Sequence, residues 1–264
     1  MFAEMRGVAW STEEVTRALQ LSDGGLSDYE VSRRTGISRG TIQSWRNGRH
    51  LGTDRSEVMR ARCDRCGVPH DRQTLNGPAY SYLLGQYLGD GCIWNSVRTG
   101  VCYLRIASDA RYTGIIDESC EAIVAVRGRA PYVRADRVKR MVTITSYWRA
   151  WMCLFPQHGR GRKHNRPISL SAWQQSIVDD SPKPFLRGLI HSDGWRGTNR
   201  VHVKGKDYEY PRYQFSNRSQ DIKDLFTSVC DRLGIEWRPW GKHHISVARR
   251  KSVALMDEFI GPKA

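Results

Sequence analysis

Residues 83–91 read LLGQYLGDG and residues 186–194 read LRGLIHSDG, 103 positions further on. Each closes an apolar segment that reads as a helix, about 79–90 and 182–193. Gly85 and Gly89 stand four apart on one face of the first helix, as Gly188 and Ser192 do on the second. Small residues at that spacing let two helix backbones approach closely. Aligning Gly85 with Gly188 then brings Asp90 beside Asp193 at one end of the pair. Gln86 is placed on the outward face and is expected to tolerate truncation.

The arrangement is electrostatically costly. A carboxylate at a helix C-terminus opposes the helix dipole. Two carboxylates about 6 Å apart repel by about 3 kcal/mol at an effective dielectric near 20. A divalent cation together with a polyanion compensates both effects, so Asp90 and Asp193 read as an all-oxygen, magnesium-type site holding phosphates. An Asp-Gly helix stop accounts for either copy alone but not for both at matched positions.

The repetition extends outward. CIWNSVRTGVCYLRIASDA (92–110) and WRGTNRVHVKGKDYEYPRYQFSNRS (195–219) both have β-hairpin patterns, closing in YLRIASD and YQFSNRS. A helix follows each, and VTITSYWRAWMCLF (142–155) then matches ISVARRKSVALMDEFI (245–260) as a second basic strand pair and closing helix. Two α-β-β-α-β-β-α halves, about 78–178 and 179–264, predict an α+β fold with two antiparallel sheets. Strands alternating Arg, Lys, Tyr and Thr leave one sheet face for the core and one for a polyanion.

A chain of 264 residues is long enough for two modules, and 39% hydrophobic with 26% charged residues is a globular composition. No apolar run reaches the roughly 18 residues of a membrane helix, and the start has no apolar signal core. A cytoplasmic protein without membrane contact is expected. The formal net charge is +15, of which residues 1–62, with 10 basic and 8 acidic side chains, hold little. Residues 127–166 have 11 basic residues against Asp136 as the one acid. Such one-sidedness reads as a footprint for nucleic acid, with a solvated charged face as the plain alternative. Candidate contacts are Arg105, Arg134, Arg137, Lys139 and Arg140 in the first half. In the second they are Lys204, Lys206, Arg212, Arg238 and Lys242.

Residues 1–59 form a separate reading. Ser11 and Glu14 make a capping box before a helix at 12–21, and 26–49 holds two short helices, 29–34 and 39–45, capped by Ser27 and Ser38. Gly36 supplies the turn, and Val31, Ile37, Ile42 and Trp45 the core. This resembles a bacterial helix-turn-helix with Arg39, Gly40, Thr41, Gln43, Ser44 and Arg46 facing the groove; an ordinary helical hairpin is the alternative. Residues 60–77 read as a linker in which Cys63, Cys66 and His70 have metal-like spacing. One structural Zn²⁺ would need a fourth ligand, for which His50, Asp64 and Asp71 are candidates; a zincless linker is the alternative. The other cysteines (Cys92, Cys102, Cys120, Cys153 and Cys230) are scattered singly, so no disulfide framework is expected.

Over about 78–264 the chain resembles the LAGLIDADG (DOD-type) homing endonucleases of the single-chain, two-repeat kind. The resemblance rests on the two Asp-Gly helices and the repeated strand pattern. It implies a pseudo-twofold pair of repeats whose sheets form a saddle on double-stranded DNA. It also implies a monomer, cleavage of one strand by each half, and a role in intron homing. Asp90 and Asp193 match the metal-binding positions, with two or three Mg²⁺ ions when DNA is bound. Lys163, in GRGRKHNR, and Lys263, in GPKA, match the basic helpers. Leu88 and His191 stand where the motif has its first Asp, which is not the metal ligand. A non-cleaving transcriptional regulator and an RNA maturase are the alternatives. A pure binder would relieve the acidic repulsion with Asn.

Overall fold

The structure, a computed structural model, describes residues 10–47, 63–68, 70–96, 99–203, 205–261 and 263. The chain divides into two compact units, with the break between Asp71 and Arg72. Among the described residues no helix is long and apolar enough to cross a membrane.

The first unit has three helices, α1 (Thr12–Asp23), α2 (Asp28–Thr35) and α3 (Arg39–Arg46). Ser11 and Ser27 each accept a hydrogen bond from the backbone N–H three residues on, while Glu14 and Glu30 reach back, so α1 and α2 both open on a capping box. Ser38 caps α3 through the Thr41 N–H. Gly36 ends α2 at φ +72°, a left-handed conformation that favours glycine. Val15, Ala18, Val31, Ile37, Ile42 and Trp45 close one small core, against which Trp10 sets its ring edge-on to Trp45.

The second unit repeats one pattern. The first half runs α4 (Gly77–Leu88), β1 (Gly91–Asn95), β2 (Cys102–Asp109), α5 (Thr113–Arg127), β3 (Tyr132–Asp136), β4 (Met141–Tyr147) and α6 (Trp151–Leu154). The helix α7 (Ala172–Asp180) leads into the second half. That half is α8 (Pro182–Asp193), β5 (Gly194–Val203), β6 (Lys206–Ser216), α9 (Gln220–Arg232), β7 (Arg238–Trp240), β8 (His244–Val247) and α10 (Arg250–Asp257). Each half carries a four-stranded antiparallel sheet, ordered β1-β2-β4-β3 and β5-β6-β8-β7. The fold is α+β.

The helices α4 and α8 are the joint between the halves. A Cβ added at Gly85 would stand 2.5 Å from the Phe185 carbonyl oxygen, and one at Gly188 would stand 2.2 Å from that of Tyr82. Backbone therefore lies on backbone where the helices cross. Ser81 Oγ ties the entry of the pair by donating to the Ser181 carbonyl at 2.7 Å. Each helix then turns into a strand that doubles back across its own last turn. A Cβ on Gly91 would come within 2.5 Å of Tyr87 Cα, and one on Gly194 within 2.6 Å of Ile190 Cα. The glycine of each Asp-Gly is thus fixed by the helix-to-strand corner.

Every residue of α4 from Tyr80 to Leu88 is buried, so this helix has no outward face. That corrects the expectation for Gln86: it is 2% exposed and donates through Nε2 to the Tyr82 hydroxyl at 2.9 Å. The register of the two sheets also fixes how their closing strands correspond. Gly91 pairs with Ile106 and Gly194 with Phe215, so YLRIASD and YQFSNRS superpose with a one-residue offset: Leu104 matches Tyr213 and Ser108 matches Asn217. The offset matters because a one-residue slip exchanges the faces of a strand.

Candidate active site

The end of the α4–α8 pair gathers the charged groups. α4 stops at Leu88, two residues short of the expected end, while α8 runs through Asp193. Gly89 leaves room for its neighbour: a Cβ there would lie 2.1 Å from Ser192 Oγ and 3.2 Å from Asp193 Cγ. Asp90 and Asp193 consequently stand at the same end and feel each other's charge. Burial pushes the Asp193 carboxyl up to about 6, and the Asp90 charge adds to this; Asn217, Lys163 and Lys263 pull it back. Asp90 is exposed as a whole residue, yet burial around its carboxyl raises its pKa, against the pull of Lys263 and Lys163.

Both lysines reach this point. Lys163, on a short 3-10 turn at Lys163–Asn165, donates from Nζ to the carbonyls of Tyr87, Leu88 (3.1 Å) and Gly89 (2.7 Å). An ammonium has three protons, and here they satisfy three of the carbonyls that end a helix. Lys163 therefore relieves the adverse helix dipole beneath Asp90. Burial lowers its pKa to about 8, while Asp193 and Asp90 oppose the drop. Lys263 Nζ stands 3.3 Å from the Ser192 carbonyl oxygen at the corresponding end of α8, and burial lowers its pKa too.

Two supporting groups escaped the sequence reading. Asn217 Nδ2 donates to Asp193 Oδ2 at 2.6 Å. Its register counterpart is Ser108, so the two acidic positions have different neighbours. The strand register was the missing signal. Arg187 Nη1 donates to the carbonyls of Phe259 and Ile260, both at 2.7 Å, while its Nε pairs with Glu118. It thus anchors the segment that carries Lys263. His191 meets the Tyr82 hydroxyl at 3.0 Å, and burial drives its pKa down to about 3, so it is a neutral core residue. A cleft beside the carboxylates is lined by Tyr87, Gly89, Lys163, Asp193, Asn217 and Arg218.

The open faces of the sheets follow from register. In the first sheet Trp94, Tyr103, Arg105, Thr143 and Arg134 share the face opposite Leu104, Ile106 and Ile144. Arg137, Lys139 and Arg140 lie exposed in the β3–β4 turn. In the second sheet Trp195, Lys206, Tyr208, Arg212, Arg238 and Trp240 share the face opposite Tyr213, Phe215 and Ile245. Lys242 is exposed in the β7–β8 turn, and Lys204 lies outside the described residues.

In the first unit Arg39 and Gln43 are exposed on α3, with Arg39 over the Tyr29 ring at 5.9 Å. Thr41 Oγ1 lies 2.7 Å from Ser38 Oγ, so its hydroxyl is engaged in the cap. Arg46 is bound in an ion pair with Asp28, which uses the group expected to face a groove. Cys63, Cys66 and His70 offer ligand atoms within 4.8 Å of one another, a cluster to which Asp64 and Asp71 do not belong; His50 lies outside the described residues.

No family model matches the chain, and no curated protein matches it in sequence. Solved structures similar to it include the LAGLIDADG homing endonuclease I-SmaMI bound to cleaved DNA. That likeness has 11% identity over 71% of this chain and 84% of that one, with a TM-score of 0.47. The LAGLIDADG meganuclease I-AabMI bound to uncleaved DNA is similar at 10% identity, over 69% and 84%, with a TM-score of 0.45. I-SmaMI bound to an uncleaved target in the presence of calcium ions is similar at 11% identity, over 71% and 85%, also with a TM-score of 0.45.

Proposed function

We propose that this chain is a site-specific double-stranded DNA endonuclease of the LAGLIDADG kind, acting as a monomer with one half for each strand. The observation that carries the reading is the pair of helices whose glycines put backbone on backbone and so hold two carboxylates together against their own repulsion. A protein gains no stability from that pairing, so it implies a ligand that does.

The donor set fits a hard divalent cation of the Mg²⁺ type. Asp90 and Asp193 are both oxygen donors, as such an ion requires, while Lys163 and Lys263 engage carbonyls at the two helix ends. Such an ion, when bound, lowers the pKa of its water and stabilises the charge developing on a scissile phosphate. The chain's own residues do the rest. Asp90 and Asp193 hold the ion, Lys163 and Lys263 balance the negative charge beneath them, and Asn217 fixes the Asp193 rotamer. The open sheet faces, with Arg105, Arg134, Lys206, Arg212 and Arg238, supply phosphate contacts. The exposed Arg39 and Gln43 supply helix-turn-helix contacts from the first unit.

The test needs no knowledge of the target. Purified protein and Mg²⁺ are incubated with a plasmid library of randomised inserts, and the ends of linearised molecules are sequenced. One recurrent site is expected. Asp90→Asn and Asp193→Asn should each abolish linearisation while keeping DNA affinity, since the cationic sheet faces that meet the phosphates are unchanged. Binding to a defined site without any cutting would favour the regulator reading, for which the exposed α3 residues of the first unit speak. Full cleavage by both variants would end the assignment of the two carboxylates.

A further inference from the structure

The loop that ends the first unit has a geometry that the endonuclease reading does not use. Its sequence is Cys63-Asp64-Arg65-Cys66-Gly67-Val68, with His70 two residues on. The Gly67 N–H bonds back to the Cys63 carbonyl at 2.7 Å, and the Cys63 N–H bonds to the Val68 carbonyl at 3.3 Å. Gly67 takes φ +68°, the left-handed conformation that lets the chain reverse directly after the second thiol. The turn therefore points both sulfurs to one side, and the His70 ring joins them, all three ligand atoms lying within 4.8 Å of one another. Cys66 is fully buried and Val68 is 8% exposed, so this turn is shielded from solvent.

We infer that Cys63, Cys66 and His70 bind a structural Zn²⁺, chemically separate from the oxygen site at Asp90 and Asp193. Two thiolates and an imidazole suit zinc and disfavour magnesium. Binding releases the two thiol protons to solvent and forms Zn–S bonds with no change of oxidation state. The fourth tetrahedral position falls to a donor outside the loop. Because the ion binds the formed turn and not the open chain, its binding free energy adds to the stability of the turn.

The full-length chain, purified under reducing conditions, should contain one zinc per molecule by elemental analysis. Cys63→Ser/Cys66→Ser should lower that to background, and Asp90→Asn/Asp193→Asn should leave it unchanged. Cobalt(II) replacing the zinc in wild-type protein should give the intense visible bands of a tetrahedral site and the ultraviolet bands of thiolate ligation. This second measurement does not depend on any variant folding. Chelation should speed tryptic cleavage after Arg65. Wild-type protein that stays metal-free after zinc supplementation with its thiols reduced would overturn the site. So would zinc retained in full by the double cysteine variant, or a stable Cys63–Cys66 disulfide in protein offered zinc.

Discussion

At the scale of single residues, the unequal surroundings of the two carboxylates have consequences that can be measured. The Asp193 carboxyl has a pKa of about 6 in the folded chain, against an ordinary value of 3.8. A raised carboxyl pKa contributes stability that is present in full below the unfolded value and lost as pH rises through the folded one. The metal-free protein should therefore lose stability between about pH 4 and pH 6.5 through this group. Asp193→Asn imitates the neutral form and should raise the melting temperature near neutral pH, with no gain at about pH 4. The shift corresponds to about 3 kcal/mol at most, and solvent reaching the half-buried group reduces this to about 1–2 kcal/mol. Thermal melts in chelator across that range check it; an equal gain at both ends would deny the linkage. Asn217 gives a second expectation. Asn217→Ala removes one charge-assisted hydrogen bond from Asp193, and at about 1.5–3 kcal/mol this is a loss of about tenfold or more in the rate of one half. Nicked plasmid should then accumulate ahead of linear product. Direct linearisation at the normal rate would mean that Asn217 supports nothing in the reaction.

At the scale of elements, the joint between α4 and α8 decides whether the carboxylates meet. A methyl group on Gly188 would be 2.2 Å from the Tyr82 carbonyl oxygen, 3.0 Å from the Gln86 nitrogen and 3.1 Å from Gly85 Cα. All three are backbone atoms, so the helices can only move apart. Gly188→Ala should cost about 1–3 kcal/mol or more by denaturant melts and reduce cleavage further than stability alone explains. Ser192→Ala is the contrast, because its hydroxyl donates only to Gly188 and Leu189 of its own helix and should be nearly silent. Gln86→Ala, by its buried amide and its bond to Tyr82, should cost about 1–2 kcal/mol. A silent Gln86→Ala would restore the outward face that the sequence suggested. The helix pair was legible because glycine spacing and the repeated Asp-Gly are local signals, and strand alternation gave both sheets. Gln86 was misread because the burial of α4 on every side is a property of its neighbours. Asn217 was invisible because its approach to Asp193 depends on a pairing register that its own segment does not encode.

At the scale of the whole molecule, charge is distributed very unevenly between the two units. Residues 72–264 have 31 basic and 17 acidic side chains, a net +14 of the total +15, and residues 1–71 a net +1. Residues 1–71 hold 11 cations against 10 acids, and Arg46 among them is paired with Asp28. Non-specific affinity for DNA arises from counterions released when cationic side chains meet phosphates, and it is read as the slope of log affinity against log salt. Deleting residues 1–62 should therefore leave that slope within about one or two charges of the full-length value. Cleavage by the second unit should persist, since Asp90, Asp193, Lys163 and Lys263 and the core that holds them all lie beyond the deletion. What the truncation should lose is discrimination. Arg39 and Gln43 are exposed and can meet base edges, and a good bidentate base contact is worth about 1–3 kcal/mol of preference for one base over another. Anisotropy titrations over a range of salt, with the selected site and with scrambled DNA, separate the two effects. The expected result is an unchanged slope with a smaller ratio between specific and scrambled affinity. A truncated protein that no longer binds either DNA at low salt would show that the first unit supplies the attraction, and that the open sheet faces do not.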